Sequence, residues 1–222
     1  PLVRIGSGEV AAENLRIGDL LLTLSGQLRP LRWIGRRSYS GRFAAGNRAV
    51  LPVRFSAGSL ADGVPARDLL VSPLHAMFLG GMLIPAEALV NGAGIVQLET
   101  VAQVDYYHLE LDSHDIILAE GAPSETFIDD DSRGMFHNAA EHRALYPDAV
   151  PAPARYCAPR VEDGEALEAV RRRLLARAAP PAVPSWVHGH LDVASRGHIA
   201  GWARDAAAPQ TPVRLRILAN GV

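Results

Sequence analysis

The amino-acid sequence predicts an all-β fold, with a single helix in the second half of the chain. Up to about residue 128 the chain is a series of short apolar or alternating runs, each followed by a turn signal. Ser25-Gly26-Gln27 and Gly80-Gly81 are two such signals, and glycine there favours tight reversals between antiparallel strands. Many short strands joined by glycine-rich turns are typical of a domain made of β-sheets.

The predicted strands follow one another closely along this first part. Trp33 lies in the third run, and the run over 95–111 is the longest. Between the strands only brief helical turns fit, for example around Pro85-Ala86-Glu87-Ala88. The runs that favour strands are residues 2–5, 19–24, 28–34, 50–55, 69–71, 76–79, 82–84, 95–111 and 115–119.

Residues 131–181 favour a linker with one amphipathic helix. The stretch at 147–159 is Pro-rich and irregular, as in loops. Pro180-Pro181 ends the helix, and the arginines near its end favour a solvated helix C-terminus over an anion site. The helix is predicted from one apolar stripe at i, i+3, i+7 and i+8, formed by Leu167, Val170, Leu174 and Leu175.

Residues 182–222 return to a β pattern. Alternation over 213–217 and a turn pair at 220–221 predict the start of a small β-module. Gly201-Trp202-Ala203-Arg204-Asp205 resembles a module of large bacterial surface-associated proteins. We therefore divide the chain into a first domain at 1–130, a linker at 131–181 and a truncated β-module at 182–222. The sequence starts at Pro1 without Met and stops just after a turn signal, so we read it as a fragment.

Composition excludes several classes of protein. The 222 residues carry a formal charge of −2, which argues against a nucleic-acid or anionic-membrane surface because those need clustered positive charge. The single cysteine excludes an internal disulfide framework. No apolar run reaches the roughly 18 residues of a membrane span, and no signal peptide is present. All 22 basic residues are arginine, which suggests a GC-rich bacterial genome.

Ser72 and His75 form the first candidate site. They stand three residues apart at the start of an apolar run, and Pro73 between them stiffens the backbone. A hydroxyl and an imidazole at this spacing can converge on one peptide bond, where the imidazole donates a proton to the leaving amide nitrogen. The same residues also fit a turn serine and a hydrogen-bonded core histidine, and the motif alone leaves both interpretations open.

His108 is the second candidate, within the longest predicted strand run. On a strand His108 and Glu110 share one face, while the residues between and beside them share the other. A histidine on a long buried strand can complete an acid–base pair with His75.

Three blocks of sequence, taken together, carry a family resemblance over residues 1 to about 130. The first is Glu13-Asn14-Leu15-Arg16-Ile17-Gly18-Asp19, followed by a strand and Pro30-Leu31-Arg32-Trp33-Ile34-Gly35. The second is Ser72-Pro73-Leu74-His75. The third runs from Tyr107-His108-Leu109-Glu110-Leu111 through His114 and Ala119-Glu120-Gly121 to Glu125-Thr126-Phe127. In order and spacing these blocks resemble the Hint (hedgehog/intein) superfamily and its bacterial hedgehog-type branch, with Ser72 for the threonine of a T-x-x-H block.

The resemblance implies a horseshoe-like, twisted β domain that processes itself. In the family, a Cys or Ser at the domain start attacks the preceding carbonyl in an N–S or N–O acyl shift, and the resulting ester is then resolved. Carried over, His75 is the main acid–base group and Ser72 its hydroxyl partner. His108 stands where inteins usually have Asp and takes part in proton handling, whereas His114 is structural. The substrate is the chain's own N-terminal flanking polypeptide, with no cofactor or metal.

Two departures from the family pattern shape this expectation. Since the family nucleophile stands at the start of the domain, it is expected a handful of residues before Pro1. Ser7 lies in a glycine-flanked turn and is no substitute. Asn138 follows His137 but precedes Ala139, so the terminal residues that splicing requires are not found. Cleavage with transfer is therefore expected in place of splicing.

The remaining candidate residues favour structural roles. Cys157 is interpreted as a buried structural cysteine, since no base is placed near it by sequence. His188 and His190 share one strand face near His198, but no acidic or Cys ligand has a recognised zinc spacing. The tryptophans read as core residues are Trp33, Trp186 and Trp202.

A rival hypothesis of a different class remains open. In it the chain is a non-catalytic β scaffold or adhesion segment of a larger bacterial surface or secreted protein, and Ser72 and His75 only pack the core. A cysteine in the dozen residues before Pro1 favours catalysis. The sequence indicates no oligomeric state, and its place in a secreted or surface protein is an expectation only.

Overall fold

The computed structural model describes residues 1–150, 153–178, 187–195, 197–205 and 213. It divides into two compact units, Pro1–Ala178 and Ala179–Val222. Strands dominate, which confirms the all-β class. The strands are β1 (Leu2–Ile5), β2 (Gly8–Ala11), β3 (Leu20–Leu22), β4 (Leu28–Pro30), β5 (Trp33–Ser40), β6 (Val53–Phe55), β7 (Leu69–Val71), β8 (Ala76–Leu79), β9 (Met82–Pro85), β10 (Ile95–Gln97), β11 (Gln103–Glu110), β12 (Ile116–Ala119), β13 (Ala122–Glu125), β14 (Val187–Ser195) and β15 (His198–Asp205). The helices are α1 (Gly41–Ala44), α2 (Ala139–Leu145) and α3 (Glu165–Ala178).

Three antiparallel sheets make up the first unit. The largest has the order β4-β3-β1-β12-β13-β8-β9, with β2 also paired to β1. A three-stranded sheet has the order β10-β6-β7, and β11 pairs with β5. The register places His108 opposite Gly35 and Ser124 opposite Met77. The strand that carries His108 therefore belongs to a different sheet from the strands that flank His75 and Glu125.

Two of the predicted strands are each divided in two. The run over 28–34 divides because the backbone changes partner: the Leu31 N–H donates to the Asp19 carbonyl, whereas the Arg32 N–H donates to the Glu110 carbonyl, both at 2.8 Å. The run over 95–111 divides because β10 pairs with β6 and β11 pairs with β5. Local pattern does not reveal such a change of sheet, since both halves are apolar.

Helix α3 belongs to the first unit and packs against its core. Its predicted apolar stripe is largely confirmed, because Leu167, Val170 and Leu174 are buried in the cluster that also contains Phe55. Leu175 is different, with 54% of its surface exposed. The arginines are also not all solvated as expected: Arg171 Nε donates to the Ala88 carbonyl at 2.6 Å and Arg177 Nε to the Gly58 carbonyl at 2.7 Å. The helix is thus held by apolar burial and by two arginine contacts.

The segment expected to be a linker carries two helices and not one. Helix α2 has only seven residues, too few for a helical period to stand out in the sequence. Just before it, Phe136 is buried and its ring centroid lies 5.4 Å from that of Trp33. The described part of 131–178 lies within the first compact unit.

Trp33 is fully buried, which confirms its predicted core position. In the second unit β14 pairs with β15, and Trp202, opposite His190, is 51% exposed and so does not fit the predicted core role. A two-stranded ribbon has too little covering layer to bury a tryptophan. Trp186, the strand expected over 213–217 (apart from residue 213) and the turn at 220–221 lie outside the described residues. Among the described helices, none is long and apolar enough to cross a membrane.

Candidate functional site

His75 is presented by a tight turn between β7 and β8. The His75 N–H donates to the Ser72 carbonyl at 3.1 Å, which closes the turn. The Ala86 N–H donates to the His75 carbonyl at 3.0 Å, and the Glu87 N–H donates to the Pro73 carbonyl at 2.9 Å. These bonds satisfy the backbone groups of the turn, so the imidazole has a fixed starting point.

His108 reaches the same region from strand β11. Its ring centroid lies 4.9 Å from that of Phe136 and 6.1 Å from that of Phe127, both edge to face. The opposite strand residue is Gly35, where an added Cβ would lie 2.9 Å from Phe136 Cδ1. The glycine therefore leaves the space in which Phe136 packs against His108.

The structure brings Ser72, His75 and His108 together with the first residue of the chain. All three line one cavity of about 70 Å³, and Pro1 lines it too. The imidazole centroids of His75 and His108 are 6.3 Å apart at an interplanar angle of 71°. A cavity of this volume holds one or two small groups and not a large ligand.

Both imidazoles are neutral at neutral pH. Burial lowers the pKa of His75 despite the nearby Glu125 carboxylate, which acts to raise it. Burial, with the adjacent His75, lowers the pKa of His108 to about 3. A buried histidine resists protonation because the charged form loses its hydration. Two neutral imidazoles in one cavity can each accept a proton, and His108 is the harder one to charge.

Glu125, at the end of β13, is the ionised group of the site. Burial acts to raise its pKa, but the His114 contact, the charge of His75, the Ala76 N–H and Arg160 outweigh it and lower the pKa to about 2. Its Oε1 accepts the Ala76 N–H at 2.6 Å, and its Oε2 lies 3.3 Å from Arg160 Nη1. Glu125 is thus a carboxylate at neutral pH.

His114 and Cys157 lie on the far side of Glu125. Cys157 is exposed, so its prediction as a buried structural cysteine is wrong, and a histidine does lie beside it. His114 Nδ1 is 3.1 Å from both Sγ and the backbone N of Cys157. Because Nδ1 accepts the Cys157 N–H, the other ring nitrogen, Nε2, faces Glu125; it lies 3.4 Å from Glu125 Oε2 without an aligned hydrogen bond.

Cys157 is not prepared as a nucleophile. Although the residue is exposed, partial desolvation of its thiol and the charges of Asp115 and Glu125 raise the pKa of that thiol. His114 Nδ1 already accepts the backbone N–H and has only one lone pair. An activated cysteine needs the opposite setting, with a free base or a cation beside the sulfur.

A second, larger cavity of about 350 Å³ adjoins the first. His75, His108 and Glu125 line both cavities, so the two histidines stand between them. The other walls include Phe127, Phe136 and Arg160. The two histidines and Glu125 therefore face both cavities.

The sequence named Ser72, His75 and His108 as candidates, and the structure brings these three together; it named neither Glu125 nor Arg160 as a site residue. Glu125 is the acid of the short strand Ala122–Glu125, and an acid in a largely buried strand is expected to be paired with an opposite charge. Arg160 carries no such signal, because its partner lies 35 residues earlier in the chain. Among the described residues, no group of three or more His, Cys, Asp or Glu could hold a metal ion.

The fold and the site together define a class of protein. It is an antiparallel β domain that gathers a T-x-x-H-like turn and a strand histidine around the start of its own chain. The Hint-domain family profile matches residues 1–131, more than half of the chain. The chain belongs to the Hint-domain family.

Comparisons with individual proteins are more distant. No curated protein matches the chain. Among solved structures, it is similar to the MchDnaB-1 intein (14% identity, TM-score 0.41), with 57% of this chain and 95% of that chain covered. It is also similar to the gp41-1 intein (12% identity, TM-score 0.40, 55% and 91% covered). A third is the Msm DnaB1 intein splicing domain bound with zinc (12% identity, TM-score 0.38, 55% and 94% covered).

Proposed function

We propose that this Hint domain rearranges and cleaves a peptide bond in the polypeptide that joins Pro1. The observation that carries the proposal is that Pro1 lines the same cavity as Ser72, His75 and His108. A peptide bond within a few residues of Pro1 therefore reaches two imidazoles and a hydroxyl. The substrate is the flanking polypeptide itself.

The reaction begins as an isomerisation. A cysteine thiol or serine hydroxyl just before Pro1 adds to the carbonyl carbon of the preceding residue and gives up its proton to a neutral imidazole. The tetrahedral adduct then breaks its C–N bond, and the amide nitrogen takes a proton to leave as an amine. No atom is gained or lost, because the proton removed from the nucleophile ends on the amine. The product is a thioester or ester, which a second nucleophile resolves.

His75 is the proton carrier in this scheme. His108, with a pKa of about 3, stays neutral throughout the physiological range, so it offers a hydrogen-bond acceptor and leaves the proton to His75. His75 faces the Glu125 carboxylate, whose charge favours the imidazolium form. Ser72, three residues earlier in the same turn, supplies a hydroxyl that hydrogen-bonds the reacting amide.

The test is self-cleavage of the chain extended by the residues that precede it in its gene. The extended chain is incubated with dithiothreitol or hydroxylamine, and cleavage is followed by gel. Since general acid–base groups contribute about 10²- to 10⁴-fold, His75→Ala should cleave at least about 100-fold more slowly. His188→Ala is the matched control, because His188 lies exposed in the second unit.

Two outcomes oppose the proposal. Equal cleavage of His75→Ala and the unsubstituted chain would remove His75 from the chemistry. An extended chain that carries a cysteine or serine before Pro1 and stays whole under both reagents would instead favour the rival interpretation, a non-catalytic β scaffold.

A further inference from the structure

The peptide groups on both sides of His75 are held by two charged side chains. Before the histidine, Arg160 Nη2 donates to the Leu74 carbonyl at 2.7 Å. After it, Glu125 Oε1 accepts the Ala76 N–H at 2.6 Å. Neither contact is part of a strand ladder, so each side chain fixes a backbone group that the sheets leave free.

The two side chains also hold each other. Arg160 Nη1 lies 3.3 Å from Glu125 Oε2 and 3.4 Å from Oε1. The side chain of Glu125 is 11% exposed and that of Arg160 is 21% exposed, so water screens the pair little. A second anchor is Glu162, which lies 3.1 Å from Arg160 Nε. The guanidinium is therefore fixed on three sides.

Arg160 lies beyond the residues that match the Hint-domain profile, which end at 131. A parallel bridge between Leu83 and Arg160 brings its segment back to β9. The Leu83 N–H donates to the Pro159 carbonyl at 2.9 Å, and the Val161 N–H donates to the Leu83 carbonyl at 2.8 Å. Residues after the family match thus reach the turn that presents His75.

We infer that Glu125 and Arg160 are positioning residues for His75. They hold the peptide groups before and after the imidazole, and their opposite charges act in opposite directions on its protonation. The role in cleavage rests on the proposed function, but the effect on His75 itself does not. The site therefore includes the segment around Arg160 as well as the Hint-matching residues.

Four elements place ionisable side chains near His75. Glu125 comes from β13, His108 from β11, His114 from the turn before β12 and Arg160 from the segment after Cys157. Glu125 acts to raise the pKa of His75, whereas Arg160 and His114 act to lower it. The other titratable or charged residues that line the two cavities are Asp105, Tyr106, Tyr107, Asp130, Tyr156 and Glu162.

This arrangement predicts opposite effects from two substitutions in one contact. Glu125→Gln keeps an oxygen for the Ala76 N–H but removes the negative charge, so the pKa of His75 should fall. Arg160→Gln removes the positive charge and should raise it. A nearby charge typically shifts a pKa by about one unit or more. The double variant Glu125→Gln/Arg160→Gln removes both charges and should return the pKa of His75 toward its original value.

The experiment is an NMR titration of the His75 ring in the full chain, from pH 5 to 8. Arg29→Gln is the matched control, because Arg29 is similarly buried and pairs with Asp115 at 2.6 Å but lines neither cavity. We expect a larger protonated fraction of His75 in Arg160→Gln, a smaller one in Glu125→Gln, and no change in Arg29→Gln. In the extended chain, the His75-dependent limb of the cleavage-rate profile should move the same way.

The outcomes separate this inference from the proposed function. If Arg160→Gln titrates like Arg29→Gln, or if both single variants shift His75 in one direction, the inference is overturned even where the chain cleaves itself. If the opposite shifts are found in a chain that does not cleave, the positioning of His75 stands and the proposed function fails. If neither single variant folds, the double variant is titrated instead. A shift of about one unit in the pKa of His75 there would contradict the inference that the charges of Glu125 and Arg160 offset each other at this ring.

Discussion

The imidazole of His108 stands edge-on to that of His75, with ring centroids 6.3 Å apart, although His108 lies in strand β11 and His75 in the turn between β7 and β8. His75 is set by a turn, and His108 by the register of β11 against β5. Neither ring is charged at neutral pH, since burial lowers both pKa values. The pair is therefore two neutral imidazoles that line one cavity with the first residue of the chain.

Burying His108 makes the fold sensitive to acid. Below pH 6.5 the unfolded chain takes up a proton at this residue, whereas the folded chain refuses it until about pH 3. The free energy of unfolding therefore falls as the pH falls through this window, by about 1.4 kcal/mol per pH unit. His108→Phe removes this proton uptake. Between pH 6.5 and 5 its free energy of unfolding should therefore fall by about 2 kcal/mol less than that of the original chain.

Urea denaturation at the two pH values measures this difference. His188→Phe, an exposed position in β14, is the control. Equal losses in His108→Phe and the original chain would mean that His108 takes up its proton in the folded state.

Gly35 is required by close approach and not by backbone conformation. An added Cβ there would lie 2.9 Å from Phe136 Cδ1 and 2.9 Å from Trp33 Cζ3, and both rings are buried. Gly35→Ala should therefore cost about 1–3 kcal/mol of stability through overpacking. Gly134→Ala, whose Cβ would meet nothing within 4 Å, should change stability little. Thermal unfolding of both variants decides, and an equal melting temperature for the two would refute the packing argument.

Helix α3 should stabilise the Hint-matching residues, because it shares a core with them. Leu174 is 1% exposed, and Leu174→Ala should cost about 2–5 kcal/mol. Leu175, next in the chain, is 54% exposed, and Leu175→Ala should stay within about 0.5 kcal/mol. Urea unfolding followed by the fluorescence of the buried Trp33 measures both. If Leu174→Ala leaves the urea midpoint of the Trp33 transition unchanged, α3 does not contribute to the stability of the Hint-matching residues.

The hydroxyl of Ser72 should matter more than its exact side chain. Ser72→Ala removes one hydrogen bond to the reacting amide and should slow cleavage of the extended chain about 3- to 10-fold. Ser72→Thr keeps the hydroxyl and should cleave at close to the original rate. Single-turnover cleavage on gels distinguishes the two, and equal slowing by both substitutions would assign Ser72 a packing role only.

Sequence reasoning predicted what depends on local pattern. The T-x-x-H-like turn, the strand that carries His108 and the buried Trp33 all followed from spacing and apolar runs. It did not predict three contacts between distant residues. These are the hydrogen bonds from the Arg32 N–H to the Glu110 carbonyl and from Arg160 to the Leu74 carbonyl, and the contact of Cys157 with His114. Cys157 lies 43 positions after His114, and Arg160 lies 86 positions after Leu74. No local periodicity in a sequence reveals contacts between residues so far apart.

The central claim is that a peptide bond close to Pro1 is activated as an ester or thioester by His75. Intact-mass spectrometry of the extended chain after hydroxylamine treatment tests it most directly. The account predicts release of the upstream polypeptide as a hydroxamate, with a break directly before the upstream Cys or Ser nucleophile, and no such product from His75→Ala. An unbroken chain that carries the upstream nucleophile, or the same hydroxamate from His75→Ala, would contradict it.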